Sequence, residues 1–148
     1  MQIILASAKI MHDKLKSVPD ISLSTPRFLN EADAFARDMA QYSAETIAEM
    51  LGCSQQIAAQ NRLRFMQYFD EKPRMPAILA YHGQAYKHLQ AETLNVDDLY
   101  YSQGKLWITS FLYGLLRPLD GILPYRMEGH VVLQAERDRT CSVSGRAA

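Results

Sequence analysis

The sequence predicts an α/β fold, in which short strands alternate with helices around a small sheet. Three apolar runs, near residues 2–6, 76–81 and 106–110, are typical of buried strands, and the segments between them carry helical patterns and capping residues. This alternation indicates strand pairing that is at least partly parallel, and a mixed α+β arrangement is the alternative. A chain of 148 residues is long enough to bury the core of one domain.

Capping residues and breaks locate the elements of the first part of the chain. Residues 2–6 predict an apolar strand at the centre of the sheet, and residues 12–29 predict a loop over the surface. Asn30 is placed to cap a helix from about Glu31 to Gln41, because its side chain can accept a hydrogen bond from the first helical turn. Ser43 is placed to cap the helix that follows, and Ser54 is placed to cap the long helix after it.

Residues 44–69 predict two helices joined by a tight turn, which is a helix-hairpin-helix pattern. Such a unit grips a phosphate through free backbone N–H groups at the start of its second helix, and it does so without reading bases. Arginines farther along that helix add phosphate contacts. The predicted DNA-binding residues belong to the turn and the second helix, and they are Gly52, Ser54, Gln55, Arg62 and Arg64.

Two other interpretations fit the same helices. A packed pair of helices without any ligand is the simpler one, since Ser54 stands where such hairpins usually carry a second glycine. A sequence-specific helix-turn-helix would instead present Gln55, Gln56, Asn61 and Arg62 to base edges. Against that alternative, an apolar stripe runs the length of the second helix, which predicts that the helix is docked against the core.

The second half of the chain adds two short helices and the stretch around which the fold is organised. Helices are predicted at 86–91 and after Asn95, which is placed as a cap, and the second of them ends at Gly104. Residues 106–129 then read as a buried strand followed by turns that two prolines and three glycines make rigid.

Polar residues follow the predicted strands at the points where each strand ends. The carboxyl ends of parallel strands share one edge of a sheet, so we expect these side chains to converge on one cleft. Lysine and arginine there would neutralise a small anion, and an aspartate would serve as a base. The cleft candidates are Lys9, Tyr113, Arg117, Asp120, Tyr125 and Arg126, and Arg64 is expected beside them.

Composition narrows the class of protein. The formal net charge is zero, so any nucleic-acid binding must come from a local patch. Two cysteines are too few for a disulfide framework and predict a reducing compartment. The sequence shows no membrane-spanning run, no export signal, no metal-ligand spacing and no cofactor-binding loop. We therefore predict a cytoplasmic protein without membrane, metal or cofactor.

Several blocks of the sequence resemble one bacterial family in the same order. The segment LYGLLRPLDGILPYRMEG, residues 112–129, closely resembles the signature of the YaaA family of peroxide-stress proteins. The opening IILASAKI resembles the first strand of that family and its following turn, without the proline that the family has in that turn. Asn61, Arg64 and Phe65 match the Asn…Arg-Phe pattern of the family.

Two further blocks extend the resemblance from Met1 to about Gly129. AILAYHGQAY resembles a family strand followed by Gly-Asp-x-Tyr, with Gln84 in place of the acid, and LQAETLNVDDL matches the segment that follows. The resemblance divides the chain into a partial family domain at residues 1–129 and an atypical tail at 130–148. We expect that tail to be poorly ordered, and we expect exposed apolar surface on the domain.

The resemblance also implies a function. It implies a cytosolic protein that limits oxidative damage to DNA under hydrogen peroxide, lowers free iron and binds DNA independently of sequence. Two alternatives stay open. One is an enzyme that acts on a nucleotide-like anion in the predicted cleft, and the other is a truncated remnant without function.

Overall fold

The computed structural model describes residues 1–17 and 19–126 and confirms a mixed α/β architecture. The predicted tail at 130–148 lies outside the described residues. The helices are α1 (Leu29–Met39), α2 (Ala44–Leu51), α3 (Gln55–Met66), α4 (Ala77–Ala80), α5 (Gln84–Leu89) and α6 (Val96–Ser102), with a 3₁₀ turn at Ala91–Thr93. The strands are β1 (Ile3–Ala6), β2 (Met75–Pro76), β3 (Leu106–Ser110), β4 (Gly114–Leu116) and β5 (Gly121–Ile122).

The described strands form two small sheets. The first has the order β1-β3-β4, and the second pairs β2 with β5. Strands β1 and β3 run parallel, with Ile3 opposite Leu106 and Ala6 opposite Thr109, whereas β3 and β4 are antiparallel. The prediction that the pairing is at least partly parallel is therefore confirmed.

Strand β1 lies at the edge of the described sheet, so the prediction of a central position is wrong. Strand β3 takes the centre, since β1 and β4 flank it. Ile3 and Ile4 are 49% and 71% exposed. An apolar run indicates that a strand can be buried, but it does not give the order of the strands in a sheet.

The apolar run at 76–81 is also not the strand that we predicted. Only Met75–Pro76 pair as a strand, and Ala77–Ala80 form a short buried helix. The N–H of Ala77 donates to the Asp120 carbonyl, and the N–H of Ile78 donates to the Pro118 carbonyl. Short apolar runs do not distinguish a buried strand from a buried helix, and here these contacts favour the helix.

The predicted caps are confirmed in three places and wrong in one. Ser43, Ser54 and Asn95 each accept a backbone hydrogen bond at the start of their helices. Helix α1 instead begins at Leu29, one residue before Asn30, and its capping position, Phe28, makes no side-chain cap. Asn30 therefore lies inside the first turn.

The core lies where the first three helices meet the strands and turns. Ile47 and Leu51 of α2 and Ala58 and Phe65 of α3 are buried, and the two helices pack along one another. Ile108 of the central strand is fully buried in the same core. This packing holds the turn between α2 and α3 at the surface.

Candidate functional site

The turn between α2 and α3 is open to solvent. Gly52 ends α2 in the left-handed conformation, with φ of 62°, which glycine adopts without the strain that a side chain would cause. The N–H groups of Gly52 and Cys53 both donate to the Ala48 carbonyl, so the last turn of α2 is closed. Gly52 and Ser54 are exposed, and Cys53 is half-buried.

Helix α3 begins with backbone N–H groups that face solvent. The Ser54 side chain accepts a hydrogen bond from the Ile57 N–H at 3.3 Å, which satisfies one of the first donors of the helix. Among the described residues, no acceptor is found for the N–H groups of Gln55 and Gln56. Both residues are exposed, so the positive end of the helix dipole is accessible to an anion.

The two arginines of α3 lie on opposite sides of the helix. Arg62 follows Gln55 by seven residues and shares its face, whereas Arg64 follows Gln55 by nine and faces the other way. The Nε of Arg62 donates to the Tyr42 carbonyl at 3.1 Å. Arg64 forms an ion pair with Asp13. The structure therefore brings Arg62 to the face that Gln55 presents, and it does not bring Arg64 there.

The predicted cleft residue Asp120 is fully buried and engaged with Arg117. One carboxylate oxygen accepts hydrogen bonds from the Ser24 hydroxyl and from the Arg117 guanidinium, the latter at 3.0 Å. The other oxygen accepts from the backbone N–H of Arg117 at 2.7 Å. This carboxylate therefore organises the turn between β4 and β5.

The Tyr125 hydroxyl lies in a buried cluster of hydroxyl groups, and the ring of Tyr113 packs beside the ring of Tyr125. Their ring centres are 5.7 Å apart. The Tyr125 hydroxyl lies 2.6 Å from both the Tyr81 and the Ser110 hydroxyls, and it also interacts with Ser7. Ser7 follows β1, Tyr81 follows α4 and Ser110 ends β3, so three chain segments meet at this hydroxyl.

The remaining cleft candidates lie in different surroundings. Lys9 is exposed in the loop after β1. Arg126 is held against α3, because its backbone N–H donates to Asn61 Oδ1 at 3.0 Å and its carbonyl accepts from Asn61 Nδ2 at 2.8 Å. Arg64 lines a separate cavity, described below, whose lining includes none of the cleft candidates named from the strand ends.

Buried tyrosines make the stability of the fold sensitive to alkaline pH. Burial raises the pKa of Tyr125 to about 12, although hydrogen bonds with Ser110 and Tyr81 oppose this rise. Burial, reinforced by the proximity of Tyr125, raises the pKa of Tyr81. The stability contributed by a raised tyrosine pKa is present below the unfolded value near 10, and it is lost as the pH rises from 10 toward 12.

We therefore expect the free energy of unfolding to fall above pH 10 by up to about 1.4 kcal/mol per pH unit for each such tyrosine. Urea denaturation between pH 8 and pH 11 measures this slope. Tyr125→Phe should reduce the slope by about one tyrosine, and Tyr101→Phe should not, because Tyr101 is 71% exposed. Equal slopes in the two variants would contradict the assignment.

The structure brings together two histidines, His12 and His82, which no sequence pattern connects. The rings of His12 and His82 are 4.6 Å apart, because an antiparallel bridge between Met11 and Tyr81 places their segments side by side. They line a cavity of about 380 Å³. Partial burial and then the proximity of His82 lower the pKa of His12, and Glu92 opposes that shift. Seventy residues separate the pair, so no local motif could reveal it.

The described residues form neither a metal site nor a membrane-spanning helix. Residues 1–17 and 19–126 contain no group of three or more His, Cys, Asp and Glu side chains placed to hold a metal ion. None of the helices in this part of the chain combines the length and the apolar character needed to cross a bilayer.

Sequence comparisons relate this chain to known proteins. The family model described as peroxide stress protein YaaA matches residues 1–142. A UPF0246 protein from Phocaeicola vulgatus is 42% identical over 134 residues, which cover 90% of this chain and 52% of the relative. A UPF0246 protein from Bacteroides fragilis is 40% identical over 141 residues, covering 95% and 54%.

A UPF0246 protein from Crocosphaera subtropica is 36% identical over 139 residues, covering 93% of this chain and 54% of the relative. The chain belongs to the YaaA family of peroxide stress proteins, also called UPF0246. It spans about half the length of the relatives that it matches.

Proposed function

We propose that this chain acts in the cytoplasm, in the response to peroxide stress, by binding duplex DNA without sequence preference. Binding would limit oxidative damage to the DNA, and lowered free iron is the accompanying effect that we propose from the family resemblance. The observation that carries the DNA proposal is the exposed turn between α2 and α3, at which Gln55 and Gln56 offer backbone N–H groups to solvent.

This turn has the physical properties of a phosphate contact. A helix N-terminus carries about half a positive elementary charge, and its unpaired N–H groups point along the axis toward an incoming oxyanion. Arg62 lies on the same face as Gln55, about 10 Å farther along the axis at 1.5 Å per residue. The two groups can therefore contact different phosphates of one duplex.

The absence of sequence preference follows from which atoms are available. Backbone N–H groups bind phosphate oxygens and carry no base information. Asn61, which a sequence-specific helix-turn-helix would direct at a base, is buried and bonded to the backbone of Arg126. Ala58 and Phe65 are buried on the same helix. Helix α3 is therefore packed against the protein and is not available to enter a DNA groove.

Charge near the turn predicts a modest dependence on salt. Glu45 and Glu49 are exposed on α2 and partly offset Arg62. Each phosphate that a cation neutralises contributes a slope of about −0.9 to the dependence of log K on log salt concentration. We therefore expect a shallow slope, carried mainly by Arg62 and the helix dipole.

Fluorescence anisotropy with mixed-sequence duplexes tests the proposal. We expect binding that is equal within about threefold among unrelated sequences, and Arg62→Ala should weaken it about tenfold and reduce the salt slope by about one. Arg27→Ala is the matched control, since Arg27 is exposed over the Trp107 ring, away from the hairpin. Strong preference for one sequence, or equal loss in both variants, would contradict the proposal.

A further inference from the structure

A cavity of about 640 Å³ lies between α3 and the segment that leads into β2. Its volume falls within the range of about 300–1,000 Å³ typical of small-molecule sites. Apolar side chains form much of its wall, among them Leu63, Met75, Leu123 and Pro124. The cavity includes no residue of the turn at Gly52, so it is a separate feature of the molecule.

The cavity is strongly positive for a protein without net charge. Four cationic side chains and one carboxylate line it, and these are Lys14, Arg64, Lys72, Arg74 and Asp13. In the described part of the chain, the only ion pair among them joins Arg64 to Asp13. The Lys72 ammonium donates to the neutral Gln67 amide at 2.7 Å, and one Arg74 nitrogen lies 3.5 Å from the Gly121 carbonyl.

Arg64 is placed to accept a further anionic partner. Its side chain is 16% exposed, and its buried Nε has no hydrogen-bond acceptor. Its partner Asp13 is 69% exposed in an open loop, and an ion pair with so exposed a carboxylate contributes about 1 kcal/mol or less. A phosphate or carboxylate in the cavity could therefore displace Asp13 at little cost and bind the guanidinium through two nitrogens.

We propose that this cavity binds a small organic phosphate, in which one phosphate group is attached to an apolar body. Arg64, with Lys14 and Lys72, holds the anionic group. Leu63 and Leu123 contact the body, which gains free energy by leaving water. Duplex DNA does not fit a cavity of this size, so the site is independent of the proposed DNA contact.

Isothermal titration calorimetry with the full chain tests this proposal with four probes. Adenosine monophosphate carries its phosphate on an aromatic body, and hexyl phosphate carries it on an alkyl body. Adenosine lacks the phosphate, and inorganic phosphate lacks the body. We expect saturable binding of at least one organic phosphate, and the tighter of the two identifies the kind of body. Adenosine and inorganic phosphate should bind at least tenfold more weakly.

Substitution then locates the site. Lys14→Ala combined with Lys72→Ala should lower the affinity for the tighter-binding organic phosphate at least tenfold. The melting temperature should not change, because both side chains are exposed. The matched control is Lys16→Ala combined with Lys87→Ala, since those lysines line the other cavity, beside His12. The control should keep the affinity, and duplex binding should persist in both double variants.

Three results would overturn the proposal. Neither organic phosphate binds; adenosine or inorganic phosphate binds as tightly as the organic phosphates; or the control lysines, and not Lys14 and Lys72, carry the affinity. None of these results affects duplex binding at the turn. Failure of this site and failure of the DNA contact are therefore distinguishable.

Discussion

Replacing Asp120 with alanine is expected to destabilise the fold by about 3–5 kcal/mol, the usual cost of breaking a buried ion pair from one side. The carboxylate is fully buried and accepts from the Ser24 hydroxyl, the Arg117 guanidinium and the Arg117 N–H. Its loss leaves the Ser24 hydroxyl and the Arg117 N–H without this acceptor, and the Arg117 guanidinium keeps its bond to the Thr25 carbonyl. Since domains of this kind are stable by about 5–15 kcal/mol, the variant should unfold at a much lower denaturant concentration.

Urea denaturation followed by circular dichroism measures this effect. Asp70→Ala is the matched control, because Asp70 is exposed, and its stability should stay within about 0.5 kcal/mol of the parent chain. Asp120→Asn keeps the shape of the side chain but loses its charge, so we expect an intermediate cost. A loss below about 1 kcal/mol in Asp120→Ala would show that the turn does not depend on this carboxylate.

Asn61→Ala is expected to lower the free energy of unfolding by about 2–4 kcal/mol. The Asn61 amide is 1% exposed, and it bonds both the N–H and the carbonyl of Arg126. Removing the amide leaves two polar backbone groups unpaired, at about 1–3 kcal/mol each. The same bonds tie the segment after β5 to α3, so the loss should also loosen the base of the hairpin.

The control for this prediction is Asn30→Ala. Asn30 is exposed and does not cap α1, so its replacement should change stability by less than about 0.5 kcal/mol. Thermal or urea unfolding of both variants gives the comparison. A cost at Asn30 equal to that at Asn61 would mean that the assigned roles of the two amides are wrong.

The parts of the fold that sequence predicted depend on local chemistry. Ser43, Ser54 and Asn95 identify helix starts because a side-chain oxygen close in sequence satisfies a free N–H. Gly52 identifies the end of a helix, because glycine adopts the left-handed conformation without strain. This signal is also local. These signals act within a few residues, so no knowledge of tertiary contacts is needed.

The parts that sequence did not predict depend on distant partners. Ala77 and Ile78 begin a helix in which their N–H groups donate to the carbonyls of Asp120 and Pro118, forty or more positions along the chain. The edge position of β1 depends on which strands flank β3. Both are decided by tertiary structure, which the apolar pattern of either segment cannot show.

The candidate site divides in the same way. The turn residues and Arg62 could be named from the helix pattern. Arg64 lies on the opposite side of α3, where it pairs with Asp13 and does not contribute to the turn. Asp120 stood out in the sequence as a potential base, but its oxygens are bonded in a buried turn. Only the three-dimensional structure shows which hydrogen-bond or ion-pair partner each side chain has.

Amide chemical shifts of the isotope-labelled chain during titration with a mixed-sequence duplex test the central claim most directly. We predict that the largest shifts occur at the backbone N–H groups of Gln55 and Gln56, that the Ile57 N–H shifts less because Ser54 already accepts from it, and that the order is the same for unrelated duplexes. Shifts that spare this turn, or no shifts at saturating duplex, would contradict it.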